Sequence, residues 1–267
     1  MFRSKTSSHE EPTSDDGQSE TKVKELREAL GPLTGNDILF CTDSCLRRYL
    51  VARNWNLEKA KTMLEETLKW RAAFKPEKIY WCDVAKQGEN GKLFRANFHD
   101  KYGRSVLIIR PGKETQKNLE SQDKFLVYNL ENAIFNLPQS QEQIMCLVDF
   151  TGFSMLRVSI KHARDCLYIL QNHYPERMAM SFLYNPPWIF DTFFKMIKYF
   201  IDPITFQKIK FVYPKHGESA DIMKAYFDEE NLPTEFGGKA TLSFDYQEFS
   251  KIMTQDDLKR DACLLGN

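Results

Sequence analysis

Neither sign of charge is in excess. The chain carries 37 basic and 37 acidic residues, so it has no electrostatic footprint for non-specific nucleic-acid binding, and none is expected. No apolar signal core occupies the first twenty residues, which are rich in Ser, Thr and acids, so a secretory leader is not expected. Paired cysteine spacings are missing as well: Cys41, Cys45, Cys82, Cys146, Cys166 and Cys263 are scattered, with no CxxC. No zinc site follows from that spacing. Cys146 in an apolar strand-like run and Cys166 in a helix-like one read as reduced thiols of a cytoplasmic protein. The longest apolar stretch, 182–201, is broken by Pro186, Pro187, Asp191, Lys195 and Lys198, which rules it out as a comfortable membrane span.

Catalytic templates are absent too. There is no GxSxG, no HExxH and no GxGxxG after a strand. Gly238-Lys239 ends like a phosphate loop, but Pro233 replaces its first Gly and Ala240 the hydroxyl residue that would hold magnesium. Cys41 and Arg47 have a Cys-x5-Arg phosphatase spacing. The residues between them lack Gly and enter a helix rather than curling N–H groups around a phosphate. An enzyme is not expected, nor any cofactor or metal.

What is present is apolar mass, 42% of residues including 20 Phe, enough for one large domain and a small one. Residues 1–21 read as a disordered tail. Helices are predicted over 22–31, from Thr42 as N-cap, and from Asn56 to Pro76, making an all-α unit over 22–78. Beyond it, apolar runs at 105–110, 144–150, 178–183 and 208–212 alternate with helical stretches at 119–136, 159–172 and 187–201. That order predicts an α/β fold with a mainly parallel sheet and flanking helices over 79–245. Leu242-Ser243-Phe244 reads as an edge strand, and 246–267 as a C-terminal tail with a short polar helix.

The segment 187–201 is the most unusual. Read as a helix with Pro187 in its first turn, it is apolar around nearly its whole circumference. Either it is a core helix, or its second side meets acyl chains or a bilayer surface. Lys195 and Lys198 can snorkel toward lipid phosphates.

Several short motifs occur in a telling order: Leu46-Arg47-Arg48-Tyr49-Leu50-Val51-Ala52-Arg53, Lys69-Trp70-Arg71, Asp100-Lys101-Tyr102-Gly103-Arg104, Asp149-Phe150-Thr151-Gly152, Tyr174-Pro175-Glu176-Arg177, Tyr184-Asn185-Pro186-Pro187-Trp188, Asp202-Pro203-Ile204-Thr205, Glu230-Asn231-Leu232-Pro233 and Phe236-Gly237-Gly238-Lys239. Together they resemble the CRAL-TRIO family, in its secretory-pathway phosphatidylinositol-transfer branch, over about 42–240. The resemblance implies a lipid cavity formed by the sheet and its helices, and a gate helix bearing Trp188, Phe190, Phe193, Phe194, Ile197, Phe200 and Ile201. It further implies a head-group site of Arg53, Glu176, Arg177, Thr205 and Lys208. Its implied partners are a phospholipid, phosphatidylinositol foremost, and a transient membrane surface, with the protein acting as a monomer. A buried phosphodiester needs cationic donors and inositol hydroxyls need acceptors, which suits that set. The alternative to a ligand role is that Glu176 makes a purely structural ion pair with Lys208 or Arg177. Two positions depart from the family pattern. Asn54 follows Arg53 where many members have Lys, removing one cation near the phosphate. Ile144 and Cys146 stand where choline-lipid carriers have Ser and Thr, which argues against a choline head group.

Overall fold

The structure, a computed structural model, describes residues 14–114, 118–154, 159–215, 217–241 and 243–265. The chain forms two compact units, one ending at Trp70 and the other starting at Arg71.

In the first unit, α1 (Ser14–Leu30), α2 (Asn36–Phe40), α3 (Asp43–Ala52) and most of α4 (Leu57–Phe74) enclose a small core. Val23 and Leu26 of α1 pack there with Leu46, Tyr49, Leu50, Met63 and Leu64. Thr42 caps α3 as its residue type predicts, accepting from the Cys45 N–H at 3.2 Å. The helix α1 begins inside the stretch expected to be a disordered tail. Its apolar anchors are too sparse to mark it by composition, but Val23 and Leu26 are buried and Ser19 accepts a hydrogen bond from Arg47 of α3. The unit boundary also falls earlier than 78, because Arg71 near the end of α4 pairs with Glu131 of the second unit at 2.7 Å.

The second unit is built on five strands in the order β1 (Leu93–His99), β2 (Ser105–Ile109), β3 (Ile144–Asp149), β4 (Met178–Tyr184), β5 (Ile209–Val212). β1 and β2 form an antiparallel hairpin; the other pairings are parallel. The crossovers run through α6 (Leu119–Phe135), α7 (Ile160–His173), and the pair α8 (Phe190–Ile197) and α9 (Pro203–Gln207). Because side chains alternate across a strand, Val106, Ile108, Met145, Leu147, Phe182 and Tyr184 face one way. They pack with Met223 of α10 (Gly217–Tyr226), Phe227, Leu232 and Phe236. Leu232 and Phe236 reach that core because the chain doubles back after them. Gly237 sits at φ 84°, and any side chain at Gly238 would lie 2.0 Å from the Leu232 carbonyl oxygen.

Two elements differ from expectation. β1 was not predicted, and residues 243–244 are not in a strand; Leu242 lies outside the described residues. The C-terminal segment is a 20-residue helix, α11 (Tyr246–Leu265), rather than a tail. The cause is shared. Asp256 and Asp257 of α11 are buried. Asp256 accepts from Arg95 of β1 at 2.6 Å and from Asn132 and Asn136. Asp257 accepts from the Trp81 N–H of α5 (Trp81–Gly88) and from the Tyr128 hydroxyl. Polar residues therefore face inward on both elements and erase the hydrophobic period that would announce them.

Candidate lipid site

The second inward-facing surface of the sheet lies under α8. Ile109, Val148, Leu183 and Phe211 are in register across four strands and form one row of that surface. Phe190, Phe193 and Ile197 of α8 are buried against it, with Phe194 partly so. Ring contacts knit the interface: Phe150 to Phe190 at 4.3 Å and Phe194 to Phe211 at 5.0 Å between centroids. The neighbouring row is Leu107, Cys146, Ser181 and Ile209. Here Cys146 and Ile209 keep some accessible surface. Burial nevertheless pushes the Cys146 thiol up to about 12.

The predicted single helix over 187–201 is shorter than expected. Asn185 adopts a left-handed φ of 49°, which Asn tolerates better than most residues. A turn over 187–189 follows, then α8, then a 3₁₀ turn over Lys198–Phe200. The expected gate residues divide by direction. Phe190, Phe193, Ile197 and Ile201 face inward, whereas Trp188 is 82% exposed and Phe200 is exposed. Tyr199, 80% exposed, and Met196 join the outer set. Lys198 lies over the Tyr199 ring at 5.3 Å. An apolar outer face with lysines among its aromatic rings is uncommon on a surface that meets only water.

The expected head-group residues are partly brought together. Glu176 follows α7 with a left-handed φ of 57°, a conformation that costs a non-glycine residue of order 1–3 kcal/mol. Its carboxylate meets the Lys208 ammonium at 2.6 Å, the two side chains being 18% and 19% exposed. Of the two partners expected for Glu176, this is the Lys208 arrangement. Arg177 instead donates to the carbonyl and carboxylate of Glu142, both at 2.8 Å. Lys208 closes α9, whose N-cap Asp202 accepts from the Thr205 N–H at 2.8 Å and from its hydroxyl at 2.6 Å. Thr205 and Lys208 therefore lie one helical turn apart. Arg53 belongs to the first unit, where it ends α3 and donates to the Ala52 carbonyl at 2.9 Å.

Sequence reasoning missed Gln171. Its side-chain carbonyl accepts from the Asp202 N–H at 2.7 Å, and its amide donates to the Phe200 carbonyl at 2.8 Å. One residue of α7 thus ties the end of the aromatic segment to the start of α9. A lone Gln on a helix carries no pattern that announces this. A cleft of about 120 Å³ between Phe98, Ile108, Arg110, Phe244 and Phe249 belongs to the opposite side of the sheet. It is too small for a phospholipid, since even drug-sized ligands fill roughly 300 Å³ or more.

A largely parallel five-stranded sheet with one face closed by a partly exposed aromatic helix, preceded by a helical unit, defines an α/β scaffold suited to a hydrophobic ligand. A model of the CRAL/TRIO domain matches residues 88–238, and one of the CRAL/TRIO N-terminal domain matches residues 19–66. The chain belongs to the CRAL-TRIO family of lipid-binding and lipid-transfer proteins. It is 32% identical to the SEC14 cytosolic factor of Kluyveromyces lactis over 85% of this chain and 80% of that one. It is 34% identical to the phosphatidylinositol transfer protein PDR17 of Saccharomyces cerevisiae over 73% of this chain and 60% of that one. A CRAL-TRIO domain-containing protein of Schizosaccharomyces pombe is 32% identical over 79% of this chain, which spans only 20% of that protein. The crystal structure of Sfh5 shares the fold at a TM-score of 0.70 and 16% identity, covering 96% of this chain and all of that one. Among the described residues, no helix is long and apolar enough to cross a membrane.

Proposed function

We propose that this protein takes up one phospholipid, phosphatidylinositol, in a cavity between the sheet and the aromatic segment, and moves or presents it between membranes. The observation that carries the reading is the Glu176–Lys208 pair, shielded but reachable, beside Thr205 and the hinge of the aromatic segment. Lys208 and Thr205 offer donors to a phosphodiester, and Glu176 offers acceptors to inositol hydroxyls. Each of the charges in the Glu176–Lys208 pair holds the other, so neither is left shielded without a counterpart. Arg177, tied to Glu142, holds the loop that carries Glu176.

The energetics call for a movable wall. Two acyl chains of about thirty methylenes, at about 0.8 kcal/mol each, would cost about 25 kcal/mol to expose to water. A closed apolar cavity removes nearly all of that cost. Release then requires open and closed states within a few kcal/mol of each other. The residues 187–201 serve as that wall. Their inner rings close over the hydrocarbon, while Trp188, Tyr199 and Phe200 with Lys195 and Lys198 meet the membrane. No bond is made or broken. The protein acts as a cytoplasmic monomer that visits membrane surfaces transiently.

Mass spectrometry of lipid extracted from purified protein is expected to return phosphatidylinositol. A sterol, another phospholipid or no lipid would overturn the ligand assignment. Thr205→Ala and Lys208→Ala are each expected to slow inositol-lipid transfer between vesicles by about tenfold or more, the scale of one lost charge-assisted hydrogen bond. Transfer at the parental rate would refute the head-group site.

A further inference from the structure

We propose that Asp123, His162 and Cys166 form a binding site for a divalent transition-metal ion of zinc-like chemistry, bridging α6 and α7. His162 and Cys166 stand four residues apart on α7 and share one face. Ser159, the N-cap of α7, accepts from the His162 N–H at 3.2 Å and sets that first turn. Asp123 approaches from α6. Its Oδ1 lies 3.5 Å from His162 Nδ1, and Cys166 Sγ lies 3.5 Å from His162 Nε2 and 3.9 Å from Nδ1. All three ligand atoms fall within 4.8 Å of one another. A tetrahedral zinc ion with ordinary Zn–O, Zn–N and Zn–S lengths sets O···N and N···S separations of about 3.3 and 3.6 Å. The observed contacts are of that length but fall on different ring nitrogens, so turning the His162 ring to aim one nitrogen between Asp123 and Cys166 completes the site.

A second observation points to a cation. Asp123 Oδ1 is buried without a hydrogen-bond partner, and such an acceptor calls for an explanation. A Cys–His–Asp nucleophile is the competing use of these residues. A metal ion deprotonates a coordinating thiol directly, with no resident base required. On binding, Cys166 Sγ exchanges its proton for the metal, and that proton leaves to solvent. Thiolate and imidazole select zinc-like ions over calcium or magnesium. Three protein ligands leave a fourth position for water or an incoming group. The site is reachable, with His162 and Asp123 side chains 19% and 26% exposed.

The test uses the full chain with its two exposed thiols removed, Cys82→Ser and Cys263→Ser, after chelator treatment. Titration with cobalt(II) is expected to saturate at one equivalent, with a sulfur-to-cobalt charge-transfer band that zinc abolishes. Cys166→Ser is expected to lose the band, and His162→Ala and Asp123→Asn to weaken binding by about 100-fold or more, since even outer-shell partners of a ligand contribute about 10–100-fold. Far-ultraviolet circular dichroism checks that each variant is folded. Should Cys166→Ser fail to fold, His162→Ala, on a partly exposed position of α7, carries the test. No band in the parent, a band that survives Cys166→Ser, or an affinity unmoved in the other two variants overturns the site. Zinc is also expected to raise the melting temperature of the parent and not of His162→Ala.

Discussion

Gln171→Ala isolates the hinge of the aromatic segment. Gln171 bridges a donor, the Asp202 N–H, and an acceptor, the Phe200 carbonyl, at 2.7 and 2.8 Å. Truncation removes both bonds while touching no residue of the proposed head-group site. Each such bond contributes about 0.5–1.5 kcal/mol net, so the pair holds the hinge by about 2 kcal/mol. That corresponds to about a 30-fold increase in local opening. Native-state hydrogen exchange reads it directly, because the Asp202 amide is itself one of the donors. Its exchange is expected to speed about 30-fold in Gln171→Ala, with amides of β3 and β4 unchanged. Gln171→Glu keeps an acceptor for Asp202 and loses the donor to Phe200, so about half the free-energy effect remains. An Asp202 amide exchanging at the parental rate in Gln171→Ala would refute the role of Gln171 as the fastener.

Asp256→Ala is expected to destabilise the protein by about 3–5 kcal/mol in urea unfolding, because it leaves the Arg95 guanidinium beside an empty position in a shielded site. Burial works against the Asp256 charge, but hydrogen bonds from Lys259 and Asn132 and the Arg95 charge prevail and hold its pKa low. His173 is buried, and burial together with the Arg71 charge lowers its pKa from 6.5 to about 4. The unfolded chain therefore takes up the proton first, and stability falls as pH drops from about 6.5 to about 4, then levels. The full difference is about 3 kcal/mol, of which solvent screening leaves about 2. Urea titrations across that window are expected to show this slope, and His173→Phe to flatten it. On the proposed membrane-facing surface, Trp188→Ala removes an indole worth about 4 kcal/mol on full immersion. Half immersion predicts about 30-fold weaker binding to anionic vesicles, and equal partitioning of parent and variant in sedimentation would contradict the docking face.

Elements whose burial obeys a simple period were legible in the chain alone. The apolar runs of β2, β3, β4 and β5, flanked by helical stretches, announced a mainly parallel sheet, because strands covered on both faces need no polar alternation. Thr42 announced its helix because a cap is a property of one residue and the next three. Short motifs singled out Glu176, Thr205 and Lys208 but left the partner of Glu176 open between Lys208 and Arg177; the packing of the folded chain decided for Lys208. Folding had to decide the rest. Arg95 and Asp256 look like surface residues until β1 and α11 are placed side by side, where each neutralises the other. Gln171 acquires its role only when the chain returns at Phe200 and Asp202. His162 and Cys166 are four residues apart on α7, but Asp123 joins them only when α6 packs alongside. Local periodicity depends on a residue's own neighbours along the chain, whereas the partner of a polar side chain comes from whichever segment packs against it, and that information exists only in three dimensions.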